Sequence, residues 1–310
     1  MTNFLWLGIF AVSLGALVWA SSILIDAAER IGLRLGMAPF VVGILIVGVG
    51  TSVPELVSSV YAAFAGATEF VVGNVLGSNI TNILLVLGIA GLVGKEARLN
   101  RDLLHIDLPM LLGSTLLLGF LIVDANFSRL DAALCILGTC IYIYSAVATN
   151  TQPKRTKKPQ DQLGLWTWLS LIGSLLLIVV SAKYTVDAAV ILAGALGVGT
   201  EVIALSAVAF GTSLPEITVA ITAARRGKIE LAVGNVMGSN VFNAFAVMGI
   251  PGVITPLTVP YQVIVFSLPV LIAVTLLYVI ITLDAKINRF EAALLLLFYA
   301  YFIGHLYQLA

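Results

Sequence analysis

Apolar runs separated by short polar breaks occupy almost the whole chain. Runs of roughly twenty residues recur near 5–25, 39–64, 70–93, 104–123, 130–148, 165–190, 202–224, 231–252, 263–283 and 290–309. Each is long enough, as a helix, to cross a hydrocarbon core of about 30 Å. A backbone in lipid must satisfy its own N–H and C=O groups, so each run is predicted to be a helix. The pattern predicts an all-α membrane protein with ten transmembrane helices. The one long polar stretch, NTQPKRTKKPQDQ at 150–162, reads as an exposed linker. It divides the chain into a first half at 1–149, a linker at 150–163 and a second half at 164–310.

The halves repeat each other. GTSVPE starts at Gly50 and GTSLPE at Gly211; GNVLGSN starts at Gly73 and GNVMGSN at Gly234, both at an offset of 161. Asp26-Ala27-Ala28 and Asp187-Ala188-Ala189 keep that offset. Asp124, Arg129, Asp131, Ala132 and Ala133 match Asp284, Arg289, Glu291, Ala292 and Ala293 at 160. Five spans is an odd number, so the second half enters the membrane from the opposite side. With the N-terminus outside, 14 of the 16 Lys and Arg fall in cytoplasmic loops, Arg129 falls in an outer loop, and Lys183 lies late in the sixth span. The positive-inside rule therefore predicts a cell-membrane protein with both termini extracellular and the central loop cytoplasmic. Inverted-topology repeats of this kind are an architecture of secondary transporters.

Composition agrees with the pattern. Hydrophobic residues make up 60% of the chain and charged ones 10%, against about a quarter charged in soluble domains. The formal net charge is zero, so no basic field points to nucleic acid; the expected surroundings are the lipid bilayer. The first run lacks a charged n-region and a small-residue cleavage site, and reads as a retained span. Cys135 and Cys140, five apart, fall on different faces of one helix and read as small apolar residues with no disulfide between them.

The repeated motifs carry the polar chemistry. Ser52 and Thr51 lie three and four residues before Glu55, so all three side chains share a helix face. Pro54 removes an N–H and frees a carbonyl, which in lipid must meet protein, water or an ion. Oxygen ligands without thiol or imidazole suit a hard cation. Ser78 and Asn82, like Ser239 and Asn243, are spaced by four, and Gly73, Gly77, Gly234 and Gly238 allow close helix approach. Inverted repeats bring equivalent segments together at mid-membrane, so Glu55 and Glu216 are expected to face one site as the only ionisable side chains deep in the core. A Thr-Ser-Pro kink alone would read as interhelical glue; two copies, each with Glu and each followed by GN-x-x-GSN, do not.

These motifs resemble the alpha-repeats of the cation/calcium exchanger superfamily, and over essentially the full length the chain is similar to the prokaryotic sodium/calcium exchangers. The resemblance implies Na⁺/Ca²⁺ antiport by alternating access, with the first and sixth helices sliding past an eight-helix core. It implies Ca²⁺ at Glu55 and Glu216 with backbone oxygens of Thr51 and Thr212. It implies Na⁺ at Ser52, Ser78 and the Gly48 carbonyl on one side, and at Ser213, Ser239 and the Ala209 carbonyl on the other. Asn243 departs from the pattern, which places Asp there; with Asn82 it forms a neutral pair, as in potassium-independent exchangers. No cofactor beyond the transported Ca²⁺ and Na⁺ is implied, and a monomer is expected to suffice.

Three other readings compete. A proton/calcium exchanger of the same superfamily shares the fold, but its acidic motifs usually lack the proline. An intramembrane carboxylate enzyme would use Asp in a different motif and needs no inverted repeat. A channel would not couple counterflow. The remaining polar residues have plainer expectations: Asp26 and Asp187 at headgroups or helix ends, Lys183 paired with Asp187 or snorkelling, His105 and His305 at the interface.

Overall fold

The computed structural model describes residues 2–94, 101–148, 164–195, 213–282 and 287–309. The first half contains α1 (Thr2–Leu35), α2 (Pro39–Phe64), α3 (Thr68–Val93), α4 (Arg101–Ile122) and α5 (Arg129–Ala148). The second contains α6 (Leu165–Ala195), α7 (Leu214–Arg225), α8 (Ile229–Ile254), α9 (Val263–Thr282) and α10 (Arg289–Leu309). Eight of these are long and apolar enough to cross a membrane. The apolar part of α4 is the shorter stretch Asp107–Ile122, and the expected seventh span is described only from residue 213. The protein is thus an all-α membrane protein of ten helices in two inverted five-helix repeats.

Loop contacts establish the inversion independently of charge. A two-residue antiparallel ribbon pairs β1 (Asn126–Phe127), between α4 and α5, with β2 (Leu257–Thr258), between α8 and α9. Thr258 N–H also donates to Thr68 Oγ1 at the start of α3 (3.3 Å). At the other end, Arg226 and Lys228, between α7 and α8, reach Asp26 and Glu29 near the end of α1. Repeats running in the same direction would have put the α8–α9 turn at the opposite end from the α4–α5 turn.

The buried centre is made by α3 and α8, whose apolar windows are 78% and 83% buried, against 22% in both α5 and α10. Two contacts join a residue to its own repeat image. Asn79 Nδ2 donates to the Asn240 carbonyl (3.0 Å) and Asn240 Nδ2 to the Asn79 carbonyl (3.5 Å). Thr115 Oγ1 and Thr275 Oγ1 lie 3.4 Å apart. A pseudo-twofold axis passes through both pairs. Offsets of 161 and 160 are therefore properties of the fold as well as of the sequence.

Close packing of α8 on α2 depends on glycine. A Cβ on Gly238 would lie 2.5 Å from the Ile44 carbonyl oxygen, and one on Gly234 would strike that of Phe40. The images of Phe40 and Ile44 are positions 201 and 205, outside the described residues, so the same approach at Gly73 and Gly77 is not on view. Two repeated acidic residues turn out to be helix caps. Ser128 N–H donates to Asp131 Oδ2 (2.8 Å) and Asn288 N–H to Glu291 Oε2 (2.9 Å), closing a capping box at the start of α5 and α10.

The remaining polar and sulfur side chains can now be placed, and one expected pairing does not form. Asp26 is held by Arg226 Nη1 at 2.7 Å, an ion pair to the residue that caps the end of α7, which brings α1 onto the α7–α8 turn. Lys183 Nζ lies 5.7 Å above the Tyr184 ring, and no ion pair to Asp187 forms among the described residues. His305 stacks on Tyr301 and packs against Phe266 near the end of α10. Cys135 is buried, Cys140 is exposed, and both are free.

Candidate functional site

The break in α2 has a definite course. A π-helical stretch, Gly43–Gly48, widens the turn that leads into the motif, and π turns recur at functional sites. Ser52 then leaves helical geometry at φ −85°, ψ 3°, and the chain resumes at Val53 with Pro54 in the new first turn, where its missing N–H costs nothing. Ser213 repeats this at φ −87°, ψ 0°, ahead of Leu214 and Pro215. In both copies the glutamate thus falls in the first turn of the resumed helix, where the helix dipole favours negative charge.

Glu55 and Glu216 are 1% and 0% exposed. They come from opposite repeats and lie close enough to interact through their charges. Ser52 Oγ donates to Glu216 Oε1 (3.4 Å), crossing from one repeat to the other. The second oxygens, Glu55 Oε2 and Glu216 Oε2, have no hydrogen-bond partner among the described residues. Ser213 Oγ, Asn82 Oδ1 and both amide atoms of Asn243 are also buried and unpartnered. Buried polar groups are ordinarily satisfied, and a cluster of such hydroxyl and amide groups around two carboxyls has the oxygen chemistry that suits a hard cation.

The walls orient these groups. Asn82 commits its amide N–H to Asn240 Oδ1 (3.1 Å), which leaves its carbonyl oxygen as an acceptor. It opens a π-helical turn, Asn82–Val86, as its image Asn243 opens Asn243–Val247. The Gly48 carbonyl accepts from Ser52 N–H (3.2 Å), Thr51 Oγ1 (3.4 Å) and Ser239 Oγ (3.1 Å). Ser239, grouped by resemblance with Ser213 and Ala209, is here tied across the repeat boundary to Gly48. Ser78 is buried on α3. Thr212 and Ala209 lie outside the described residues.

Several asparagines that sequence reasoning passed over hold the site together. Thr51 Oγ1 donates to Asn235 Oδ1 (3.2 Å), and Asn74 Nδ2 donates to Ser59 Oγ (3.1 Å) and the Glu55 carbonyl (3.5 Å). Asn79 and Asn240 clamp α3 to α8. All four stand inside the doubled GN-x-x-GSN motif, so the signal was present in the repeat itself. Beyond the glutamate pair the described residues bury a further carboxyl, Asp107, near the start of α4 and 4% exposed. Among the described residues no group of three or more His, Cys, Asp and Glu gathers, so the carboxyl content of the site is the glutamate pair.

Known proteins resemble this chain over most or all of their length. A solved structure of the sodium-calcium exchanger NCX_Mj, soaked with zero Na⁺ and Ca²⁺, superposes with a TM-score of 0.86 at 29% identity, covering 98% of this chain and 99% of that one. The sodium/calcium exchanger MaX1 of Methanosarcina acetivorans is 31% identical over 352 residues, with 99% of each chain covered. The inner membrane protein YrbG of Escherichia coli is 33% identical over 259 residues, 79% of this chain and 78% of its own. The model of the sodium/calcium exchanger protein family matches residues 5–149 and 166–308, one block per repeat and together nearly the whole chain. The chain belongs to the sodium/calcium exchanger protein family and is a cation/calcium exchanger, a transporter and not an enzyme.

Proposed function

We propose that the chain exchanges Na⁺ for Ca²⁺ by alternating access, with the ions held at mid-membrane between the broken helices α2 and α7. One observation carries the reading. At this site each repeat places one buried glutamate with a partnerless oxygen, and among the described residues the other unpartnered groups around them are hydroxyls or amides. Two negative charges balance one Ca²⁺ or two Na⁺, so the two loads compete for the same charge in a medium that tolerates no surplus. In this reading Glu55 and Glu216 hold Ca²⁺ with the backbone oxygens of Thr51 and Thr212. Ser52, Ser78 and the Gly48 carbonyl, with Ser213, Ser239 and the Ala209 carbonyl, serve Na⁺, and the carbonyl oxygens of Asn82 and Asn243 complete the centre. Residues 1–149 and 164–310 act as the two halves of one monomer, joined by the linker at 150–163.

The test is Ca²⁺ uptake into proteoliposomes under separately imposed gradients. A Na⁺ gradient is expected to drive uptake; flux driven by a proton gradient alone would transfer the assignment to proton/calcium exchange. Replacing K⁺ by choline on both sides is expected to leave Na⁺-driven flux unchanged. Among the described residues the centre has no third carboxylate to neutralise a K⁺ beside Ca²⁺, and Asn243 is uncharged. Collapse of flux without K⁺ would refute that charge argument.

The proposed orientation has its own measurement. Cysteines placed at Thr2 and Thr156, in a background without Cys135 and Cys140, are expected to react with an impermeant reagent from opposite sides of the membrane. Labelling from one side only would overturn the assignment of extracellular termini and a cytoplasmic linker.

A further inference from the structure

The two glutamates are held differently by their surroundings. On α2 the Glu55 carbonyl accepts from Ser58 Oγ (3.0 Å) and from Asn74 Nδ2 of α3 (3.5 Å). The same Nδ2 donates to Ser59 Oγ (3.1 Å), one turn beyond Glu55. Ser59 is fully buried. Two serines and an asparagine thus brace the backbone behind the Glu55 carboxyl and tie α2 to α3.

The second repeat lacks the brace. At the offset of 161 the images of Ser58 and Ser59 are Val219 and Ala220, both fully buried. The image of Asn74 is Asn235, also fully buried, and its Nδ2 has no hydrogen-bond partner among the described residues. Asn235 is held through its oxygen, which accepts from Thr51 Oγ1 of the other repeat (3.2 Å). The hydroxyls that α7 does carry turn to their own helix. Thr218 Oγ1 donates to the Leu214 carbonyl (2.9 Å) and Thr222 Oγ1 to that of Thr218 (2.7 Å). An unpaired buried amide donor is costly and rare, and a hydroxyl at position 220 would serve Asn235 as Ser59 serves Asn74.

This difference bears on ion binding. A ligand whose backbone is already fixed loses less freedom when it closes on an ion, so preorganised groups bind more tightly than loose ones. The Glu55 half of the site is ordered in this way beforehand, and the Glu216 half carries no equivalent among the described residues. On the reading of Glu55 and Glu216 as joint Ca²⁺ ligands, we propose that Ser59 is a positioning residue for exchange. Through Asn74 it fixes the backbone of Glu55, and the hydrocarbon at Ala220 leaves Glu216 as the looser half.

The test measures equilibrium binding of radiolabelled Ca²⁺, and melting temperature, on the full-length chain in detergent, so no driving ion enters the readout. Ser59→Ala is expected to weaken Ca²⁺ binding about fivefold, the worth of one ordinary hydrogen bond. In an Asn74→Ala background the same substitution is expected to change Ca²⁺ affinity less than about twofold, because Ser59 acts through Asn74. Ala220→Ser gives the Asn235 amide a partner; it is expected to raise the melting temperature by about 2–4 °C and to tighten Ca²⁺ binding about fivefold. A Ser59→Ala protein that melts lower but binds Ca²⁺ like its parent has lost only a structural contact, and that result overturns the positioning role. A loss that persists undiminished without Asn74 overturns it as well. Should Asn74→Ala fail to fold, Ala220→Ser decides: melting temperature and Ca²⁺ affinity no higher than the parent's overturn the proposal. Glu55→Gln separates the two levels. Binding like the parent's in that variant overturns the glutamate reading and the proposal with it, whereas failure of the brace alone leaves Glu55→Gln without Ca²⁺.

Discussion

Glu216→Gln is expected to abolish Ca²⁺ uptake while the protein still inserts and folds, and Glu55→Gln to do the same. The amide keeps the volume of the side chain and removes its charge. Each glutamate is one of two carboxyls that the described residues bring to the site, so a bound Ca²⁺ would be left with half its compensating charge in buried surroundings. Removing one partner from a buried charge pair costs about 3–5 kcal/mol. At about 1.4 kcal/mol per decade, Ca²⁺ binding should weaken by a factor of roughly 10²–10⁴. Gln also retains one carbonyl oxygen, so a loss of this size would report charge and not missing volume. Binding and flux should be measured on protein whose melting curve and elution profile match the parent. Exchange near the parent rate in either variant would remove the proposed site.

Gly238→Ala is expected to have the largest effect among substitutions that leave every proposed ligand in place. Its added methyl would meet the Ile44 carbonyl oxygen at 2.5 Å and the Ile44 Cα at 2.7 Å. Both belong to backbone, which cannot rotate aside as a side chain does. Ile44 also lies in the π-helical stretch Gly43–Gly48 that leads to the break at Ser52. Overpacking of a tight contact costs about 1–3 kcal/mol. The relief available is to push α8 away from α2, which would separate Ser239 from the Gly48 carbonyl it now meets at 3.1 Å. A lower melting temperature together with lost exchange is the expected pair of results. Gly113→Ala on α4, where no described atom lies within 4 Å of the added methyl, is the control and should melt no lower than the parent. A Gly238→Ala protein as stable and active as its parent would show that the α2–α8 approach is looser than described.

Much of this protein could be read before its structure was seen, for one reason: it says most things twice. A lone Ser-x-x-Glu before a proline is ambiguous in an apolar helix, whereas its return at a fixed offset fixed the repeat, the inversion and the glutamate pair. What escaped was whatever the repeat does not duplicate. Asp107 sits beside a polar loop and looks like a span-end residue. Asp26 and Arg226, 200 residues apart, are hidden in the same way. The π-helical turns at Asn82 and Asn243 were missed for a different reason, since an extra residue in a turn leaves no mark on an apolar pattern that is already almost continuous. The asparagines at 74, 79, 235 and 240 were legible but unread; their doubling carried as much information as that of the glutamates.

The contacts on the pseudo-twofold axis have a thermodynamic consequence. A carrier built from inverted repeats turns from one face to the other when its halves exchange conformations. A bond between a residue and its own image, such as Asn79 with Asn240 or Thr115 with Thr275, is mapped onto itself by that exchange. Its strength is common to both end states and cancels from the equilibrium between them; it can enter only the height of the barrier. The pair joining Asp26 to Arg226 has no such invariance, because its image would set Asp187 against Ala65, which carries no charge. Contacts of that kind weigh on one side of the balance alone. The axis therefore divides the residues of this exchanger into those that govern how fast it turns and those that govern which way it rests.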